Sequence, residues 1–428
     1  MADVLEGPYF MISDRKYYSG SVAYLGQADD EVEELAAFHA DGTPFPGSSS
    51  WSGVTGGSGH IATFSVDAPS AASSGDPVSI SYDNAGTLEE LAIHIVVVKV
   101  TFRKHPDQVY GFDDNPAFIK SNGNKFCYPF YNTSPPKDGI PWKSVEVGKS
   151  DAVVAEISPV GVGNKVFLVS NTPQFLASPN AVSTSEISFA VQAGTENSEG
   201  LITASLGQED GLSGGWLRLV SFPEVEKRIF LIEVYNAEID PVSQALLPEQ
   251  TEMNNQVSSI YNEGVVKLLI GNHILENSDY DLIPYNQIEI PESGTYSTEM
   301  MSIYENCVLC EEVISLFDQE EVWFIFIVDL PTYQNGSPFD IQGRFDTELN
   351  YGFVFLNNHS ESNIINTTAH EFGHGIFDLK HPFSEFNPGY DSPCLSNYDP
   401  SGLDPNNVMD YNQGIFMLFR RYYWSKMH

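Results

Sequence analysis

Apolar residues follow two regimes along this chain, and the change between them comes near Pro223. Before it, short runs of alternating apolar and polar positions, such as Ile61 to Val66 and Val78 to Tyr82, are separated by segments rich in Gly, Ser and Asp, with Pro44 to Gly59 reading as loop. Alternation at period two marks strands with one buried face, because successive side chains leave opposite sides of the backbone. The run His94 to Phe102 (HIVVVKVTF) and the later runs VFLVS and ISFAV, punctuated by Pro, Gly and Asn, continue the pattern. Short strands at even spacing predict a β-rich half, with a small β domain over 1–95 and an immunoglobulin-like sandwich over 96–222.

Beyond Pro223 helical and strand periods mix. Arg228 to Tyr235 (RIFLIEVY) reads as a buried strand, Leu247 to Asn262 as a helix and Val265 to Ile270 as a strand. Ser297 to Phe317 is expected to be helical, Val322 to Leu330 (VWFIFIVDL) a central strand and Tyr351 to Leu356 (YGFVFL) a shorter one. Ile365, Ala369, Phe372, Ile376 and Leu379 then recur at helical spacing, which makes a core-facing stripe. The fold class expected is multidomain, a β-rich half followed by an α+β domain over 223–428.

The second face of that last helix holds His370-Glu371-Phe372-Gly373-His374, an HExxH pattern. Histidines at i and i+4 project from one face, so both rings can reach one metal ion while Glu371 points at the water on it. A third ligand must return to the same ion after the helix stops. The next histidine is His381, and counting back three residues gives Asp378, a residue type that enters the left-handed region more readily than most. His381 is therefore the expected third ligand; Asp378 and Glu385 are the alternatives. His359 reads as a loop residue before the helix.

These residues resemble the metzincin peptidases, whose pattern is HExxHxxGxxH. The match departs from that pattern at Phe377, where glycine is expected, and at Lys380, where the histidine is expected; a helix one residue longer reconciles the two. Asn407-Val408-Met409-Asp410-Tyr411 resembles the Met-turn beneath the metal, with Tyr411 at the position whose phenol binds zinc or donates to the oxyanion in some members. With the closing aromatic segment around Trp424 and His428, the region from about 225 to 428 is similar to toxin-type metallopeptidase domains at the C-termini of effectors of Bacteroidetes-type bacteria. The resemblance implies one catalytic Zn2+ held by His370, His374 and His381, with Glu371 as general base and Tyr411 assisting. It implies a protein or peptide substrate, paired to an edge strand at Tyr351 to Leu356, and a secretion or injection apparatus as partner. Two rival readings are a binding protein with a vestigial zinc site and a delivery component carrying a passenger domain.

Charge narrows the partners. Fifty-eight acidic against 20 basic residues leave a net charge of -38, which opposes binding to nucleic acid or to an anionic membrane surface. Between Ile229 and Phe419 only Lys267, Arg344 and Lys380 are basic, against thirty carboxylates. Asp391, Asp399, Asp404 and Asp410 lie in a Pro/Gly/Asn-rich segment without EF-hand spacing, so nothing supports Ca2+ there. Cys127, Cys307, Cys310 and Cys394 are too few and too irregular for a disulfide scaffold and are expected as free thiols. No run of about 18 apolar residues suggests a membrane span. Met1 to Arg15 has no apolar core of the kind a secretory leader needs, so action outside the cell would require a leaderless route.

Overall fold

The computed structural model describes residues 9–12, 15–18, 22–26, 32–39, 43–44, 50–52, 56–58, 61–65, 78–83, 90–113, 140–159, 166–182, 184–207, 212–235, 249–276, 287–292, 296–308, 322–346, 348–356, 359–379, 381, 408–409 and 421–428. They form two compact units: the described residues up to Gln108 and from 140 to Ser221 make the first, and Val109–Asp113 with those from Phe222 onward make the second. No helix among the described residues is long and apolar enough to cross a membrane.

Among the described residues, the regular elements of the first unit are all strands. Ser150–Ser158 shows why: Asp151, Val153, Ala155 and Ile157 are buried while the residues between them are not, the period-two pattern of a strand with one face inward. It pairs antiparallel with Glu186–Ala193 on one side and with Glu90–Lys104 on the other. A second sheet contains Trp142–Glu146, Ser213–Phe222, Glu199–Leu206, Val166–Ser170 and Ala181–Val182. The two sheets meet closely, since a Cβ on Gly215 would fall 2.1 Å from the Val100 carbonyl oxygen. Glu90–Lys104 runs unbroken through position 95; its first part pairs with Val78–Asp83 and Val22–Gly26, and its last six residues pair with Ser150–Ser158.

The second unit mixes helices with a largely parallel sheet. Its elements are β1 (Val225–Tyr235), α1 (Gln250–Asn262), β2 (Val266–Glu276), α2 (Thr298–Val308), β3 (Val322–Val328), β4 (Gly343–Phe345), β5 (Tyr351–Phe355), α3 (Glu361–Phe377) and the short α4 (Arg421–Trp424). The sheet order is β2-β1-β3-β5-β4; β1 is parallel to β2 and β3, β3 is parallel to β5, and only β4 is antiparallel to its neighbour. The expected central strand is central: Phe324 to Val328 are all buried, as a parallel strand covered on both faces requires. The helix expected over Ser297 to Phe317 is present as α2 over Thr298–Val308, and positions 309–317 lie outside the described residues. One expectation is corrected. Tyr351–Phe355 lies inside the sheet between β3 and β4, so among the described residues the edge on that side is Gly343–Phe345, a segment too short and too glycine-interrupted to stand out by periodicity.

Apolar packing fixes where α3 sits. Ile364, Ile365, Ala369 and Phe372 are buried, and the Tyr261 hydroxyl of α1 donates to the Ala369 carbonyl at 2.8 Å. Ser360 caps the N-terminus by accepting from the Asn363 N–H. At the other end Asp378 adopts φ 49°, the left-handed break expected of it, and the Asp378 and Leu379 N–H groups both turn back to the Gly373 carbonyl. The chain's last residues close the unit: Trp424 packs against Gly111, Met427 against Gly264, and the His428 ring stacks on Phe222 at 4.3 Å.

Because the break depends on a left-handed residue, Asp378→Gly should leave stability unchanged or slightly raised, whereas Asp378→Val should cost about 1–2 kcal/mol. Denaturant titration of the full chain checks both; equal stability of the two variants would contradict the assigned backbone geometry.

Candidate metal centre

One turn of α3 separates His370 from His374, and the break at Asp378 returns the chain so that His381 joins them. The Nε2 atoms of His370 and His374 are 3.1 Å apart, as are those of His374 and His381. All three ligand atoms lie within 4.8 Å of one another, the one such group among the described residues. Asp378, the alternative third ligand, is exposed at the helix end and stands outside this group. Glu385, Tyr411 and the acidic residues Asp391, Asp399, Asp404 and Asp410 lie outside the described residues. His359 sits before α3, with Nε2 3.3 Å from Asp340 Oδ1, and belongs to no cluster.

The other nitrogen of each ring explains the convergence. His370 Nδ1 is 2.7 Å from the Val408 carbonyl, His374 Nδ1 is 2.6 Å from the Leu379 carbonyl, and His381 Nδ1 is 3.2 Å from the Met409 carbonyl. A carbonyl oxygen can only accept, so each Nδ1 holds the proton and each neutral ring presents an Nε2 lone pair to the centre. Three lone pairs at these distances have no proton to share and repel. A cation relieves that repulsion, and imidazole nitrogens about 2.0–2.1 Å from a tetrahedral ion stand about 3.4 Å apart. The residues therefore fit a divalent cation bound by three nitrogens.

Sequence reasoning identified the turn around Met409 by its residues, and the structure shows its contribution. Val408 and Met409 supply two of the three carbonyl acceptors. Met409 also lies against the helix: a Cβ on Gly373 would come 2.6 Å from its sulfur. No side-chain motif could have revealed these acceptors, because they are backbone atoms.

Glu371 is 5% exposed, and its Oε2 finds no hydrogen-bond partner among the described residues. Burial pushes its pKa up to about 8, opposed by the Arg344 guanidinium and by a hydrogen bond from the Phe345 N–H. Strand β4 holds the carboxylate in place. A Cβ on Gly343 would lie 2.6 Å from Glu371 Oε1, so only glycine admits the side chain there, and the Phe345 ring packs over Gly375 one turn further on. Thr367 Oγ1 donates to Gln342 Oε1 at 3.3 Å and ties the helix to the chain entering β4. Residues Asp340 to Phe345, with Asn366, Thr367, Val408 and the metal-site side chains, line a cavity of about 470 Å³. None of the β4 residues was read from sequence as part of the site, Arg344 entering only through its charge; the signal available was Gly343 between polar neighbours just ahead of a strong strand.

No family model matches the chain, and no curated protein matches it. Among solved structures, domains 4 and 5 of the S-layer protein SbsC are 8% identical, with 50% of this chain and 97% of that chain covered and a TM-score of 0.16. The titin domains Z1Z2 in complex with telethonin are 10% identical over 50% of this chain and 96% of that one, with a TM-score of 0.14. A Bacteroides ovatus glucan-utilisation protein, SGBP-B, bound to a mixed-linkage heptasaccharide, is 8% identical over 51% of this chain and 60% of that one, at a TM-score of 0.14. Likeness at this level bears on neither unit's chemistry.

Burial and the neighbouring rings hold His370 well below its ordinary 6.5 and His381 down to about 4. In the metal-free protein the unfolded chain therefore takes up these protons first, and the pair lowers stability as pH falls from about 6.5 toward 4. Glu371 acts in the opposite sense: raised from 4.5 to about 8, its contribution is fully present below the lower value and is lost as pH rises through the upper. The stability advantage of the metal-free wild type over Glu371→Gln should thus shrink, by on the order of a few kcal/mol, as pH rises across that interval. Denaturant titrations of both proteins measure it, and a pH-independent difference would contradict the burial of this carboxyl.

Proposed function

We propose that the second unit is a zinc-dependent endopeptidase, metzincin-like in fold, acting on a protein or peptide. The observation that carries the reading is the meeting of three Nε2 lone pairs with a buried carboxylate whose Oε2 is unpartnered, at a cavity bounded by the edge strand of a sheet. A purely structural metal site has no use for that carboxylate. The antiparallel edge strand, the left-handed break, the returning histidine and the Met409 turn each support the metzincin-like form.

Zinc held by His370, His374 and His381 would supply Lewis acidity toward water and toward the scissile carbonyl. The chain's own groups do the rest. The three Nδ1 bonds keep the rings aimed. Glu371 takes the proton of the attacking water and passes it to the departing amine, as a general base with a raised affinity for protons can. The Phe345 N–H and the glycine at 343 keep that carboxylate in one orientation. Among the described residues the sheet has no strand beyond β4, so an extended peptide could add there through backbone hydrogen bonds. Tyr411 is proposed to assist at the oxyanion on the resemblance alone. We read the β-rich unit as immunoglobulin-like accessory modules, and the whole as a secreted or injected effector that meets a delivery apparatus.

The full-length protein should bind one zinc and cleave peptides from a mixed library. Glu371→Gln should retain zinc and fold while losing about 10²–10⁴-fold in turnover. His381→Ala should lose tight zinc binding. Zinc uptake without any cleavage would favour a binding component, and undiminished turnover in Glu371→Gln would overturn the mechanism.

A further inference from the structure

A second pair of reactive groups lies in the first unit, independent of the metal centre. Lys143 sits on Trp142–Glu146 in one sheet, and Asp151 begins the inward row of Ser150–Ser158 in the other. Their side chains are 0% and 3% exposed, and Lys143 Nζ stands 2.5 Å from Asp151 Oδ2. The second carboxylate oxygen accepts from the Ala152 N–H at 2.9 Å. Val145 and Val153, the next inward residues on the two strands, are fully buried.

An ordinary ammonium–carboxylate contact is about 2.7–2.9 Å, so these groups are pressed closer than an ion pair needs. Keeping both charges in a dry interior carries a desolvation penalty that their mutual attraction must offset, and a neutral group in their place carries none. An amine and a carboxyl held in contact by two sheets are placed so that an intramolecular reaction gains most from fixed orientation. No cysteine is among the described residues of the unit, so no disulfide joins its sheets there.

We propose that Lys143 and Asp151 condense to an amide that covalently links the two sheets. One proton passes from Nζ to the carboxylate, the nitrogen lone pair attacks Cγ, and the C–N bond forms as the C–O bond breaks. A second nitrogen proton leaves with the hydroxyl as water. The ammonium and carboxylate thus become one amide and one water, with no oxidant or co-reactant. The link replaces two buried charges by a neutral group, and it cross-braces the unit as a disulfide would.

Intact mass spectrometry of the purified full chain tests this directly. The expected mass is one water below that of the sequence, with a tryptic map in which the chain is uncut at Lys143 and its peptide is joined to the one containing Asp151. Lys143→Arg and Asp151→Ala should each restore the full mass. A wild type at full mass would overturn the proposal and leave a buried ion pair. A water loss that persists in Lys143→Arg would also overturn it, by assigning the loss to a succinimide elsewhere. The wild-type mass and map decide the matter even if a variant fails to fold.

Discussion

Three hydrogen bonds from imidazole Nδ1 atoms to backbone carbonyls hold the second unit's chemistry together. Each fixes a tautomer and a ring plane, and together they force three lone pairs into one small volume. The acceptors come from two places, the residue after the α3 break and the turn at Val408 and Met409, so the site forms only when both segments are seated. That dependence explains the close contacts beneath the helix: the Met409 sulfur rests where Gly373 leaves room, and Leu379 is buried beside it. A cation bound to the three rings would therefore couple metal binding to local folding, by stabilising the segments that aim them.

The carboxylate obeys a second constraint, imposed from the sheet. Glu371 belongs to α3, yet its position is set by β4, whose glycine admits it and whose Phe345 N–H bonds to it. The same short strand bounds the cavity and ends the sheet. Ligands from the helix, acceptors from a distant turn and an orienting strand thus converge, and Tyr261 and Tyr296 brace the arrangement from α1 and from the approach to α2 through bonds to the Ala369 and Tyr351 carbonyls.

What could be read from sequence follows the physics of each element. The i, i+4 histidines were legible because helix geometry alone places them, and the break at Asp378 because few residue types accept positive φ. Val322–Val328 was legible because an unbroken apolar run has few homes other than a covered parallel strand. The edge strand was not, since three residues including a glycine and an arginine have no measurable period, and the edge was instead assigned to Tyr351–Leu356. The carbonyl acceptors are invisible in any sequence. So is the meeting of Lys143 with Asp151, which depends on two sheets facing each other. The strand through position 95 was seen only in part: the run was read from His94, although Leu91, Ala92 and Ile93 just before it also pair with Val78–Asp83.

The account's central claim is that His370, His374 and His381 bind one metal ion through Nε2. A crystal structure of the zinc-loaded full chain, with anomalous data at the zinc edge, tests it most directly. The account predicts one anomalous peak with three Nε2 atoms about 2.0–2.1 Å away and the three Nδ1 bonds intact. A metal held by Asp378 or Glu385 with His381 turned to solvent, or no peak at this site, would contradict it.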